Sequence, residues 1–495
     1  MRKGQQLRIA DLMERSGVKF GTSGARGLVT DMTDEVCYAY TTGFLQHLAA
    51  QGELAPGANI ALAGDLRPST DRIMASVALA IRDAGYIPVN CGKIPSPAVA
   101  YYGFTEGIPS IMITGSHIPD DRNGIKFNRP DGEILKPDEQ AIRNQTIDIP
   151  ADRFTNQGQA AIPLPSMPVD GEAFSRYCRR YLDFFPGNCL TGLRIGLYEH
   201  STVAREPLMY VLGELGADVT PLGRSEAFLP VDTEAIRPED IELARQWADE
   251  RGFDAIVSAD GDGDRPLVSD EKGEWLRGDI VGILTALYLD ARDISTPVSS
   301  NTAVEKCRAF QTVRRTRIGS PYVIEAMNTA TASPAQGVVG YEANGGFLVG
   351  TEFTKGKRKL AALPTRDAML PILSILALVQ KQHRPISSLL RELPQRFTAS
   401  DRLKNITTEL SQRKLAELRE GADEIERLFG RLCGPIASID NTDGLRTTFQ
   451  NQEIIHLRAS GNAPELRCYT EAATEQRAKQ LNEATLAIWQ SHAHL

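Results

Sequence analysis

Short apolar runs alternate with longer amphipathic stretches through the first three quarters of the chain. No other feature restricts the fold as strongly. Asn59–Asp65 (NIALAGD) is a continuous apolar run of strand length. The following STDRIMASVALAIRDAG has helical spacing, with Ser69 or Thr70 as its expected cap and Gly85 as its stop. Strand-like runs resume at YIPVNCG and SIMITG. This rhythm predicts mixed, mostly parallel sheets with helices on both faces.

The rhythm then repeats. LRIGLYEH reads as a strand, VAREPLMYVLGELG as a helix, ADVTPLG as a strand, and DAIVSADGDGD as a strand running into a loop. AGYIPVNCGKIPSP and LGADVTPLGRSEAFLP share one order: helix, glycine, short strand, glycine turn, proline. GDIVGILTALYL, STPVSSN, YVIEAMNTA and GVVGYEANGG carry the pattern once more, so an internally repeated α/β unit is expected. At 495 residues the chain exceeds the ceiling for one core, and about three or four domains are expected. Proline-rich Ala160–Asp170 reads as a linker, Ser269–Glu274 as a turn between units, and QKQHRPISS as the passage into a different segment. There a charged helix (SQRKLAELREGADEIERLFG), a strand (EIIHLRAS) and a final helix ending in LAIWQ predict a small α+β domain. The expected division is 1–162, 163–273, 274–388 and 389–495.

Composition narrows the function classes. A net charge of −8 argues against nucleic-acid binding by bulk attraction, so an anionic ligand would need local arginines and lysines. No stretch approaches the ~18 apolar residues of a membrane span, and the first residues lack a signal-peptide core. Seven cysteines without a CxxC pair read as buried free thiols. The expectation is a soluble cytoplasmic protein with neither nucleic-acid nor membrane partner.

Five segments carry chemistry. FGTSGARG (Phe20–Gly27) offers Thr22, Ser23 and Arg26 around glycines, as an anion site requires. In ITGSHIPDDRNGIKF, Ser116 and His117 follow a strand, where α/β sheets carry ligand loops; Lys126 lies beyond an expected turn at Asn123-Gly124. The G-x-S-x-G elbow of a hydrolase is absent. In SADGDGDRPL, Asp260, Asp262 and Asp264 alternate with glycines, which can set three carboxylates on one side of an extended loop. Three hard oxygens favour Mg²⁺ or Mn²⁺ over zinc, and Arg265 at the sixth position excludes an EF-hand. GYEANGGF sets Glu342 and Asn344 on a glycine-rich turn, suited to adjacent sugar hydroxyls. RASGNAPELRCYTE gathers Arg458, Ser460, Gly461, Asn462 and Arg467, a donor set suited to phosphate.

In this order and at these separations, the five segments resemble the α-D-phosphohexomutase superfamily, and its phosphomannomutase/phosphoglucomutase type most closely. The resemblance implies three related α/β/α domains with mixed sheets and a smaller C-terminal α+β domain around a central cleft. It makes Ser116 a phosphoserine, with Asp260, Asp262, Asp264 and Ser116 holding one Mg²⁺. Arg26, Lys126 and Arg265 then surround the reacting phosphate, Glu342 and Asn344 read the sugar, and the Arg458 loop with Arg467 grips the other phosphate. The implied reaction interconverts mannose 6-phosphate and mannose 1-phosphate through a hexose 1,6-bisphosphate, which also serves as activator. His117 and Lys126 both stand as candidate general bases. A monomer or small homo-oligomer is expected. Asn344 stands where serine is usual, Ser320 where sugar-binding members often have histidine, and YEHSTVARE departs from the usual glycine-rich stretch. Alternatives are a mutase for glucose or glucosamine phosphates, a non-catalytic sugar-phosphate binder, and a metal-dependent phosphatase.

Overall fold

A computed structural model describes residues 5–21, 24–332, 336–460 and 464–493. The predicted alternation folds into three mixed sheets, and the C-terminal segment into a fourth, wholly antiparallel one. In the first sheet, Asn59–Gly64 lies between Ile87–Gly92 and Ser110–Ile113, parallel to both, and Arg122–Arg129 runs antiparallel beside the latter. In the second, Arg194–Tyr198 lies between Asp218–Leu222 and Ala255–Ala259, and Pro266–Val268 is the antiparallel fourth strand. The third repeats the order with Asp293–Pro297, Thr312–Thr316, Val338–Tyr341 and Phe347–Val349, then adds Leu363–Asp367. The repeat inferred from the sequence is therefore a repeat of strand order.

Three of the chemistry-bearing segments occupy one topological position, the connection from third to fourth strand. Ser116 lies there in the first sheet, Asp260–Arg265 in the second, and Glu342–Gly346 in the third. In the fourth sheet, Phe397–Lys404, Glu465–Ala472 and Ile454–Ala459 lie side by side, and the Ser460 loop joins the last two.

One apolar cluster runs through the first three sheets, from Ala61, Cys91 and Met112 through Tyr177, Leu197 and Val257 to Ile294, Val339 and Leu373. The fourth sheet has its own core of Leu415, Phe429, Leu457, Leu466 and Trp489. The helix Glu172–Phe184 packs on Ser96–Glu106 and on Arg205–Glu214, stitching the first two sheets together. Its Tyr177 and Tyr181 hydroxyls both donate to Asp367 at the end of the third sheet.

Three local expectations are corrected and a fourth is refined. Asn123 and Gly124 lie inside the strand Arg122–Arg129, paired with Gly24–Leu28, and the glycine is needed there because a Cβ would meet the Ala25 and Thr114 carbonyls at 2.8 and 2.9 Å. Ser69 stands at the N-cap as expected, but its side chain makes no capping hydrogen bond; Thr70 donates to Asp65, at 2.6 Å. The charged helix is two helices, Thr408–Arg419 and Ala422–Cys433, parted at Gly421, where helix propensity is lowest. The aspartate segment is a compact turn, described below. All seven cysteines are free thiols, five of them buried.

Asp367→Ala leaves two buried tyrosine hydroxyls without their acceptor and removes an acceptor for the Met369 and Leu370 N–H groups. A loss of about 3 kcal/mol is expected, read as an earlier midpoint in urea unfolding.

Candidate active site

Ser116 holds a left-handed backbone conformation (φ +57°), uncommon for a residue with a side chain and a mark of functional loops. Arg67 overcomes that strain. Its buried guanidinium is paired with Asp65 at 3.0 Å and donates to the carbonyls of Ser116, Ile118, Pro119 and Arg122. The Ser116 N–H donates to Thr114 Oγ1 at 2.7 Å. So fixed, Ser116 Oγ donates to Asp260 Oδ2 at 2.7 Å, across 144 residues of chain.

The metal-loop turn is built by its own backbone. The Gly263 N–H bonds to the Asp260 carbonyl, and the Asp264 and Arg265 N–H groups both bond to Asp260 Oδ1. Gly261 is needed for close approach, since a Cβ there would lie 2.8 Å from the Ser116 carbonyl. The divergent YEHSTVARE segment supports the turn from below: Thr202 Oγ1 donates to the Asp260 carbonyl at 2.6 Å and the Val203 N–H to that of Gly261.

One oxygen from each of Asp260, Asp262 and Asp264 falls within 4.8 Å of the others. All three residues are buried, and Asp262 Oδ1 and Asp264 Oδ1 have no hydrogen-bond partner. Unpartnered buried carboxylate oxygens converging beside a serine hydroxyl are what a hard divalent cation requires, so the donor set fits Mg²⁺. Burial, then the neighbouring Asp262 and Asp264, push the Asp260 carboxyl well above its ordinary range. Burial also opposes ionisation of Asp264, but Arg366, Lys126 and Arg265 outweigh it and hold that carboxyl well below.

The remaining cations surround this turn. Lys126 Nζ lies 2.5 Å from Asp262 Oδ2 and 2.7 Å from Asp264 Oδ2, and these carboxylates raise its pKa against the effect of burial. Arg265 Nε is 3.6 Å from Asp264 and 3.8 Å from Asp260. Arg26 faces the same cleft, lowered to about 10 by burial and by Arg265. His117 places Nδ1 3.2 Å from Ser116 Oγ and Nε2 3.9 Å from Asp232. Burial, with Arg265 and Arg26, lowers its imidazole to about 3.

A cleft of about 460 Å³ is lined by Arg26, His117 and Arg265 together with Glu342, Asn344, Arg458 and Arg467. The sugar loop is a turn closed by the Glu342 N–H to the Gly346 carbonyl and the Gly346 N–H to Asn344 Oδ1. Arg458, Arg467 and Arg402 are direct cross-strand neighbours, a row of three like charges. Such a row is self-repelling without an anion. Asp443 holds Arg458 at 2.9 Å and accepts from the Ile318 N–H, joining the row to the third sheet. Ser460 is buried where its loop leaves the strand. Gly461 and Asn462, like Thr22 and Ser23, lie outside the described residues. Ser320 does not face the cleft; it is buried and donates to Glu133, while Ile318 and Gly319 line the wall.

Sequence reasoning missed Arg366, Arg402, Asp232 and Glu234, all of which line the cleft. Arg366 carried a signal, a charged Arg-Asp pair entering the apolar run AMLPILSILALV. Arg402 and the Asp232–Glu234 loop carry none, because strand register and loop path bring them in. Full-length protein titrated with Mn²⁺ is expected to bind one ion at this turn. Asp262→Ala should weaken binding ~10-fold or more, and the exposed Asp290→Ala should not.

Family models for phosphoglucomutase/phosphomannomutase match residues 17–152 (α/β/α domain I), 277–397 (α/β/α domain III) and 410–488 (C-terminal domain). A phosphomannomutase of Sinorhizobium fredii is 45% identical over 96% of this chain and 99% of its own. One of Salmonella muenchen is 43% identical over 96% of each. Among solved structures, a phosphoglucomutase/phosphomannomutase family protein of Burkholderia thailandensis shares the fold, with a TM-score of 0.71 at 17% identity over 95% of this chain and 96% of its own. From the repeated strand order to the serine set against three aspartates, the chain belongs to the phosphoglucomutase/phosphomannomutase family.

Proposed function

We propose that this chain is a phosphomannomutase, working through a phosphorylated Ser116. The observation that carries the reading is the Ser116 hydroxyl, held in a strained loop 2.7 Å from Asp260 and beside the three-carboxylate set, with Arg26, His117 and Arg265 lining the adjoining cleft. The near relatives named phosphomannomutase support the same activity and sugar.

In the forward direction, a hydroxyl oxygen of the hexose phosphate attacks the phosphorus on Ser116. The P–Oγ bond breaks as the new P–O bond forms, giving a hexose 1,6-bisphosphate. The bisphosphate turns over in the cleft, and the other phosphoryl group passes to Ser116 Oγ. Alignment and charge neutralisation are most of what such a transfer needs from a protein. Asp260, Asp262 and Asp264, with Ser116, would hold Mg²⁺, which when bound offsets negative charge on the transferring group. Arg26 and Arg265 add fixed positive charge beside it.

We assign the attacking hydroxyl's proton to His117 rather than Lys126. The Lys126 ammonium is engaged by two carboxylates, whereas the His117 ring lines the cleft beside Ser116 with Asp232 on its far side. Glu342 and Asn344 read sugar hydroxyls, and the Arg458–Arg467–Arg402 row takes the phosphate that is not reacting. Because the row is a charge cluster and not a shaped pocket, it accepts either phosphate of the rotated intermediate. We place the four units at 1–162, 163–273, 274–388 and 389–495, in keeping with one sheet of four or more strands in each. We further propose that the enzyme works in the cytoplasm. No described helix is long and apolar enough to cross a membrane.

The test is turnover of Mg²⁺-loaded protein primed with glucose 1,6-bisphosphate. Mannose 1-phosphate should be converted to mannose 6-phosphate. Glucose 1-phosphate should follow more slowly, because the two sugars differ only at one hydroxyl. Ser116→Ala should lose at least ~10³-fold in kcat. Absence of turnover on both sugars would overturn the reading.

A further inference from the structure

Arg366 belongs to neither the serine loop, the aspartate turn nor the sugar loop, yet it touches two of them. It stands near the end of Leu363–Asp367, which pairs antiparallel with the strand leaving the sugar loop. One guanidinium nitrogen, Nη2, lies 2.9 Å from Asp264 Oδ2; the other, Nη1, lies 3.3 Å from Glu342 Oε2. The side chain is 5% exposed and lines the cleft. A planar fork holds two carboxylates from separate loops in one rigid geometry, whereas an ammonium on a flexible stem supplies charge without that geometry.

The neighbouring backbone is shaped around this side chain. A Cβ at Gly346 would lie 2.7, 2.8 and 3.1 Å from Arg366 Cδ, Cγ and Cβ. Such distances would force the whole side chain to shift, not merely its tip. Gly346 therefore clears the channel along which Arg366 reaches from the third sheet to the metal turn of the second.

We propose that Arg366 is a positioning residue that ties the sugar-reading carboxylate to the metal loop. It does so by sharing one guanidinium between Glu342 and Asp264. The proposal rests on the mutase reading above. It sets the sugar's orientation relative to Ser116, so the hydroxyl presented for attack stays in line through both halves of the reaction. It also gives Arg366 opposed effects on the two sites. Its charge competes with a divalent cation for Asp264, while its geometry serves turnover.

The experiment measures kcat/KM on mannose 1-phosphate and Mn²⁺ affinity by titration calorimetry in full-length Arg366→Met, Arg366→Lys, Arg366→Ala, Gly346→Ala and the double alanine variant. Arg366→Met should lose on the order of 10²-fold in kcat/KM yet bind Mn²⁺ several-fold more tightly. A merely structural defect would weaken both. Arg366→Lys should not recover turnover, because it restores charge without the fork. Gly346→Ala should lose turnover in the native background and cost little more once Arg366 is alanine. Wild-type turnover in Arg366→Lys, weaker Mn²⁺ binding in Arg366→Met, or additive losses in the double variant would each overturn the proposal. If the unaltered protein turns over no hexose phosphate, it is the mutase reading that fails. The Mn²⁺ titrations then still decide whether Arg366 bears on Asp264.

Discussion

Three buried carboxylates set within reach of one another repel, and the rest of the site is arranged around that repulsion. At 4 Å and an intermediate dielectric each such pair costs about 4 kcal/mol. In this protein the offsetting charges come from different parts of the chain. Lys126 comes from the first sheet, Arg265 from the turn itself and Arg366 from the third sheet. Drawing three units onto one acidic turn sets Ser116 beside it, with His117 and Glu342 lining the adjoining cleft. The same carboxylates leave two buried oxygens without hydrogen-bond partners, which a divalent ion would satisfy.

Repetition of one strand order explains how the loops meet. The third-to-fourth-strand connection of each of the first three sheets points into the cleft, so three unrelated chemistries arrive from three equivalent places. The continuous apolar cluster fixes those sheets against one another. The fourth sheet has a separate core and meets the third partly through polar contacts. Examples are Asp443 to the Ile318 N–H, Glu471 to Thr302 and the Asn301 amide to the Arg396 carbonyl. Ser116 and the aspartate turn thus sit on the part that shares one apolar core, and the Arg458–Arg467–Arg402 row on the part joined to it through polar contacts.

The sequence was most legible where function depends on local backbone. The aspartate segment and the Glu342 loop announce themselves because glycines and carboxylates alternate at short spacing, and the Glu342 loop forms the turn it suggests. Two readings went astray, one through distant carbonyls and one through N–H groups of the loop itself. Asn123-Gly124 looks like a turn, but its glycine answers to carbonyls of other strands. Asp260–Asp264 was expected to be extended, yet Asp260 binds two N–H groups of its own loop and folds it back. Arg402 and Asp232 were out of reach because nothing adjacent in the chain marks them, and Arg366 had only its place beside Asp367 at the head of an apolar run. Register and sheet order place them, and Gly346 explains itself only once Arg366 is seen beside it.

The central claim is that Ser116, among all hydroxyls of the chain, carries the phosphoryl group. The most direct measurement is the intact mass and peptide map of the protein after incubation with glucose 1,6-bisphosphate and Mg²⁺. The account predicts one added phosphate, on the peptide bearing Ser116. It also predicts loss of that phosphate to mannose 1-phosphate or mannose 6-phosphate when either is supplied. A protein that stays unmodified, or carries its phosphate on another residue, would contradict it.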